Sequence, residues 1–298
     1  VTDFESGKTM GRIYRIVAAT PNAKHQTSKK FQTPKRIDLG KAGDAALCDQ
    51  LNNPNSWWRM TAHRLLLQRE IRHTKRYLEK LVLSAPTPET RVHALNILNA
   101  SASLPEELIE GALSDTDPGV REHAIRLAES MLPGTAVFAL AEKLRANQPE
   151  EFRRYFGKPY VLTERLLAMA DDPNPRVRFQ CALTLGHLTD DRIIAALTKI
   201  AVRDVNDKWT RAAVLSAITN REDKFLHSFL SAIANHQPES LPAMMGELGH
   251  ILGAALPQTN LFPVLRELLA SSRPEDLAWQ MAAVGGLGEG LRARGLGS

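Results

Sequence analysis

The chain has 298 residues, 43% of them apolar and 24% charged, ordinary globular values with enough chain for a large core in one or two domains. Its longest apolar stretch, Leu241 to Leu256, contains Glu247 and His250, so no segment reads as a membrane span. Two cysteines, Cys48 and Cys181, make neither a disulfide framework nor a tetrahedral metal site; both fall on apolar faces and read as buried thiols.

The net charge of +5 points to acidic partners only until its distribution is read. Residues 1–80 hold 16 Lys/Arg against 7 Asp/Glu, whereas the remainder holds 22 against 26. The basic excess lies in a cluster of Lys24, Lys29, Lys30, Lys35, Arg36 and Lys41. The segment 19–40, with Pro21 and Pro34 and few apolar side chains, reads as a basic linker. Before it, residues 11–18 are β-branched and aromatic and predict one strand, which needs a sheet to be stable. The chain starts at Val1, without Met, as a piece excised from a longer protein would. Ser6-Gly7-Lys8-Thr9 imitates the end of a phosphate-binding loop, but Thr2 stands where the first glycine belongs and no strand precedes it.

From residue 41 the pattern is helical and repeats. Pro54 to Arg59 leads to Ala62, Leu65 and Leu66; Pro88 to Arg91 leads to Ala94, Leu95 and Leu98; Asp117 to Arg121 leads to Ala124 and Leu127. Pro175 to Arg178 leads to Cys181, Ala182 and Leu185, and Asp207 to Arg211 leads to Val214, Leu215 and Ile218. Each copy is a cap or breaker, an arginine, a small or apolar residue three places on, and further apolar residues at helical spacing. The caps have a mechanism, since Asp and Asn accept orphan backbone donors and Pro fits the first turn. The arginines are 32, 30, 57 and 33 residues apart. The long interval predicts a degenerate unit or an insertion, placed at about 147–160. Amphipathic segments at 42–52, 74–84, 104–113, 161–171, 190–203 and 223–234 alternate with the anchored helices, and 239–256, 261–271 and 275–292 continue the helical reading. Helix pairs at this period predict an all-α right-handed solenoid over 41–298, because each pair buries its core only by stacking on its neighbours.

The copy Asp171-Asp172-Pro173-Asn174-Pro175-Arg176-Val177-Arg178 resembles bacterial HEAT-type repeats. Pro54-Asn55-Ser56-Trp57-Trp58-Arg59 through Leu66 resembles the opening repeat of large planctomycete and verrucomicrobial proteins, in which a β-propeller precedes HEAT repeats and a c-type cytochrome follows. Arg176–Gly186 and Trp209–Ser216 resemble later repeats of that family, and Gly11–Ile16 its last propeller strand. The resemblance implies that residues 1–18 are a propeller remnant and that the parent protein is periplasmic or in the envelope. The family's haem attachment Cys-x-x-Cys-His is absent from the sequence, so no haem or other cofactor is expected here.

Candidate binding residues are Trp57, Trp58, Arg59, Arg91, Arg121, Arg178 and Arg211, and for each a structural reading is preferred. Trp58 is in phase with Ala62 and Leu65 and reads as core; Trp57 covers the groove to the linker. The arginines recur at one repeat position, so each is expected to pair with a turn aspartate of an adjacent unit, such as Asp117, Asp172 or Asp204. His93 and His123 read as surface histidines at equivalent positions, and His63, His187 and His250 as isolated. Gly285 to Gly290 lacks dinucleotide-binding spacing and reads as small residues at a close helix contact. The last helix carries an apolar stripe of Leu277, Met281, Val284, Leu287 and Leu291 that awaits a partner. No nucleophile, base and orienter set presents itself. The reading is a non-catalytic scaffold that docks a protein partner or neighbouring domains of its own chain. The alternative is a nucleic-acid-binding HEAT protein of the DNA glycosylase type, disfavoured by the net −4 after residue 80.

Overall fold

The computed structural model describes residues 38–132, 159–234 and 238–295. The chain divides into two units, Val1–Asp38 and Leu39–Ser298, and nearly all described residues lie in the second. They form α1 (Asp44–Gln50), α2 (Ser56–Leu67), α3 (Ile71–Ser84), α4 (Pro88–Ala100), α5 (Glu106–Leu113), α6 (Pro118–Ala128) and α7 (Pro159–Ala168). There follow α8 (Pro175–Leu185), α9 (Ile193–Arg203), α10 (Lys208–Ala217), α11 (Glu222–Ile233), α12 (Leu241–Ala255), α13 (Gln258–Leu268) and α14 (Leu277–Ala293). No β-strand occurs among the described residues. The strand expected at 11–18 lies outside them. So does the expected insertion near 147–160, apart from Pro159 and Tyr160, which begin α7. The expected linker ends sooner than the composition implies, because Leu39 is buried in the core.

α2, α6, α8 and α10 begin alike because their first turns are spelled alike. Asn55 accepts a hydrogen bond from the Trp57 N–H at 2.9 Å, Asp117 from Gly119 at 2.8 Å, Asn174 from Arg176 at 2.9 Å and Asp207 from Thr210 at 3.0 Å. Pro88, Pro118 and Pro175 occupy the first helical position, where a missing N–H costs nothing.

The helices stack in two layers. α1, α3, α5, α7, α9 and α11 follow one another in one layer, and α2, α4, α6, α8 and α10 in the other. The result is an all-α solenoid of helical hairpins, with its core between the layers. Leu47, Leu66, Leu78, Leu95, Ile109 and Ile125 are fully buried there, as are Phe225 and Phe229, whose rings stack with centroids 5.6 Å apart. α6 packs directly on α8, so the 57 residues between Arg121 and Arg178 span a single step of the stack.

The C-terminal end is built differently. α12 and α14 meet backbone to backbone through Gly249, Gly253, Gly286 and Gly290. A Cβ at Gly286 would lie 2.1 Å from the Gly246 carbonyl oxygen, and one at Gly290 would lie 2.1 Å from that of His250. Gly286 and Gly290 of the glycine-rich run therefore serve a close helix contact, whereas Gly285 and Gly288 face open space. The expected apolar stripe of this helix splits. Leu287 is buried and Leu291 packs against the core, whereas Leu277, Met281 and Val284 are exposed. The close approach turns the helix so that 283, 286, 287 and 290 face inward.

Candidate functional site

Arg59, Arg91, Arg121, Arg178 and Arg211 each occupy the fourth residue of their helix. From that register the side chain folds back across the helix start. Nη1 donates to the carbonyl six residues earlier, on Asn53, Ala85, Asp115, Asp172 and Val205, at 2.7–2.9 Å. In four of the five, the other edge of the guanidinium grips a carboxylate of the next unit at two points. Arg91 binds Asp115 at 2.7 and 2.9 Å, and Arg121 binds Asp172 at 2.7 and 2.9 Å. Arg178 binds Asp204, with Nε–Oδ2 at 2.6 Å, and Arg211 binds Glu247 at 3.0 and 2.9 Å. Asp115 and Asp172 do a second job, each accepting the backbone N–H two residues on at 2.8 Å.

The pairs of Arg91, Arg121 and Arg178 are sheltered, Glu247 is more exposed, and the two-point geometry of all four is the strong form of charge-assisted bonding. The carboxylates hold Arg121, Arg178 and Arg211 still more firmly protonated than usual, against the opposing pull of burial. Both edges of Arg91, Arg121, Arg178 and Arg211 are thus occupied within the protein. Asp117 is not a ladder partner as the repeat pattern implies. It caps α6, and Asp115, two residues earlier, takes the arginine. Arg59 is the exception: Ala85 stands where Asp115 and Asp172 stand in later units, and the buried Arg59 Nε has no acceptor.

Trp57 is 62% exposed, while Trp58 is partly buried against the core; their rings meet edge to face at 5.2 Å. Trp209 is 64% exposed and occupies the same place in its unit as Trp57, two residues before the ladder arginine. The Lys208 ammonium sits 5.1 Å from its ring centroid. In the sequence Trp209 is one residue of a repeat, and its equivalence to Trp57 is the signal that marks it. Between α10 and α12 runs an open groove of about 690 Å³ lined by Ala212, Leu215, Gly246, Glu247, His250 and Ile251.

The histidines correct an expectation. His63 is not isolated: its Nδ1 lies 3.0 Å from His93 Nδ1, and one ring donates to the other. Stacking of α2 on α4 sets position four after one ladder arginine against position two after the next. Burial lowers the pKa of both, and that of His93 falls to about 4, with the charges of His63 and Arg59 adding to the effect. His123 is lowered as well, chiefly by burial, and receives a hydrogen bond from Arg126 at 3.0 Å. Burial also pushes the Cys48 thiol up to about 11, raises Cys181 further, and keeps both in the unreactive thiol form. Among the described residues, no group of three or more His, Cys, Asp or Glu is placed to hold a metal ion, and no helix is long and apolar enough to cross a membrane.

One comparison with known proteins bears on these repeats. Residues 134–219 match the family model of HEAT repeats. That span contains the Arg178 and Arg211 units of the ladder. No curated protein matches the chain. Among solved structures, the chain is similar to a designed armadillo repeat protein in complex with a (KR)4 peptide. The two are 16% identical, the alignment covers 83% of this chain and 100% of that one, and the TM-score is 0.39. It is also similar to an engineered protein at 17% identity, with 83% and 97% covered and a TM-score of 0.29.

Proposed function

We propose that this HEAT-repeat chain is a non-catalytic scaffold that docks a protein partner on the layer formed by α2, α4, α6, α8 and α10. The observation that carries the reading is the contrast between four of the five ladder arginines, committed to internal carboxylates, and the tryptophans, left exposed at one repeated position. An unpaired arginine ridge would suit phosphates. Arginines already held at both edges do not, whereas exposed indoles supply the rigid apolar contact area typical of protein interfaces. The resemblance of Pro54–Leu66 to planctomycete and verrucomicrobial proteins supports a place within a larger periplasmic protein, between a propeller and a cytochrome.

Selection of displayed peptides against the folded chain tests the docking. Enriched peptides are expected to bind the wild-type chain and to lose at least about tenfold in affinity for the Trp57→Ala/Trp209→Ala variant. Peptides indifferent to both substitutions would refute the assigned surface. Tight duplex DNA binding that weakens steeply with salt would favour the nucleic-acid reading instead.

A further inference from the structure

α14 has two faces of small and apolar residues, and only one is used. Ala283, Gly286 and Gly290 lie against α12. On the other side, Leu277, Met281 and Val284 are 57%, 66% and 36% exposed. Gly285 and Gly288 complete that side, and a Cβ at either would meet nothing within 4 Å. The steps of four, three and four residues from 277 to 288 keep the stripe on one line along the helix.

The stripe is graded. Its N-terminal half is large (Leu277, Met281, Val284) and its C-terminal half is notched (Gly285, Gly288). Glu275 precedes it and Arg292 follows it. Both are exposed; Glu275 lies 4.0 Å from Arg273, and Arg292 Nε donates to its own helix at Gly288 O, 3.3 Å away. Reversed and laid on itself, the stripe matches itself. Met281 enters the Gly288 notch, Val284 crosses Gly285, the Arg292 stem covers Leu277, and the Arg292 guanidinium approaches Glu275. In a parallel arrangement large residues would meet large ones and arginine would meet arginine.

We propose that a second copy of this chain packs antiparallel on α14, giving a two-fold dimer through Leu277, Met281, Val284, Gly285 and Gly288. Self-complementarity in both size and charge is what an isologous interface requires. A single helix from each copy is a small interface, so the dimer forms with a Kd on the order of 10–100 μM.

Sedimentation velocity from micromolar to millimolar protein tests this. The wild-type chain is expected to double in mass over that range. Gly288→Glu, which adds its side chain to open space on the separate chain, abolishes the dimer and leaves the circular dichroism spectrum unchanged, and Met281→Glu does the same. Arg292→Glu weakens association about tenfold, and adding Glu275→Arg restores most of it. A monomer throughout the range overturns the proposal. So does a dimer that survives Met281→Glu and Gly288→Glu, which would place the contact elsewhere. Failure of the charge exchange to restore association would rule out the antiparallel pairing.

Discussion

Arg121 and Asp172 stand 51 residues apart in the chain and meet in a two-point ion pair at 2.7 and 2.9 Å. Both side chains are nearly buried, at 12% and 3% exposure. Removing one partner from a sheltered pair leaves a desolvated charge without compensation. Asp172→Asn keeps the turn acceptor for Asn174 but loses the charge, and is expected to destabilise by about 3 kcal/mol. A double-mutant cycle with Arg121→Gln, followed by urea denaturation, should show the two substitutions strongly non-additive. Simple addition would mean the pair contributes nothing specific.

Ala85 interrupts the ladder, and the repeat itself indicates the repair. Ala85→Asp puts a carboxylate where Asp115 and Asp172 stand in later units, within reach of the unpartnered Arg59 Nε. The substitution should stabilise the chain by about 1 kcal/mol, the net worth of a well-placed hydrogen bond. Ala85→Asn should gain less. An Asp variant less stable than wild type would show that the first two units stack differently from the rest.

Four glycines on α14 separate close packing from helix propensity. A methyl group at Gly286 or Gly290 would collide with backbone, so Gly286→Ala and Gly290→Ala should each cost about 2–4 kcal/mol. Gly285→Ala and Gly288→Ala meet open space and should stabilise by roughly 0.5–1 kcal/mol, because alanine holds a helix better than glycine. Thermal melts of dilute protein would read all four, and equal effects would contradict the contact between α12 and α14.

His93 makes stability depend on pH in one direction. Its folded pKa, about 4, lies below the ordinary value of 6.5. Between those values the unfolded chain therefore binds the extra proton, and stability rises with pH through that window. The contribution is fully present above about pH 6.5, falls as the solution is acidified, and levels off below about pH 4. Partial exposure limits it to about 1–2 kcal/mol. His93→Gln should flatten the dependence of the denaturation midpoint on pH between 4 and 6.5. An unchanged slope would move the origin of the acid sensitivity to other groups.

The helical hairpins were legible because their causes are local. Asn55, Asp117, Asn174 and Asp207 mark helix starts by capping N–H groups two or three residues away, and apolar spacing marks the buried face. The ladder was legible in type, since an arginine at one fixed register has the same reach in each unit. Its partners were less so. Asp172 and Asp204 could be named, but Asp115, Glu247 and the gap at Ala85 depend on how units stack, and sequence spacing does not encode that.

What the sequence by itself determined is the repeat: where helices start, which residues face inward, and that five arginines share one place. What only the tertiary structure decided is what meets across units. His63 joins His93, Trp209 stands exposed as Trp57 does, and the α14 stripe divides into a buried side and an open one. The physical reason is range. Caps and periodicity act within one turn of chain, whereas the rotation of α14 is set by how near its glycines let α12 approach, and that distance exists only once both helices are in place.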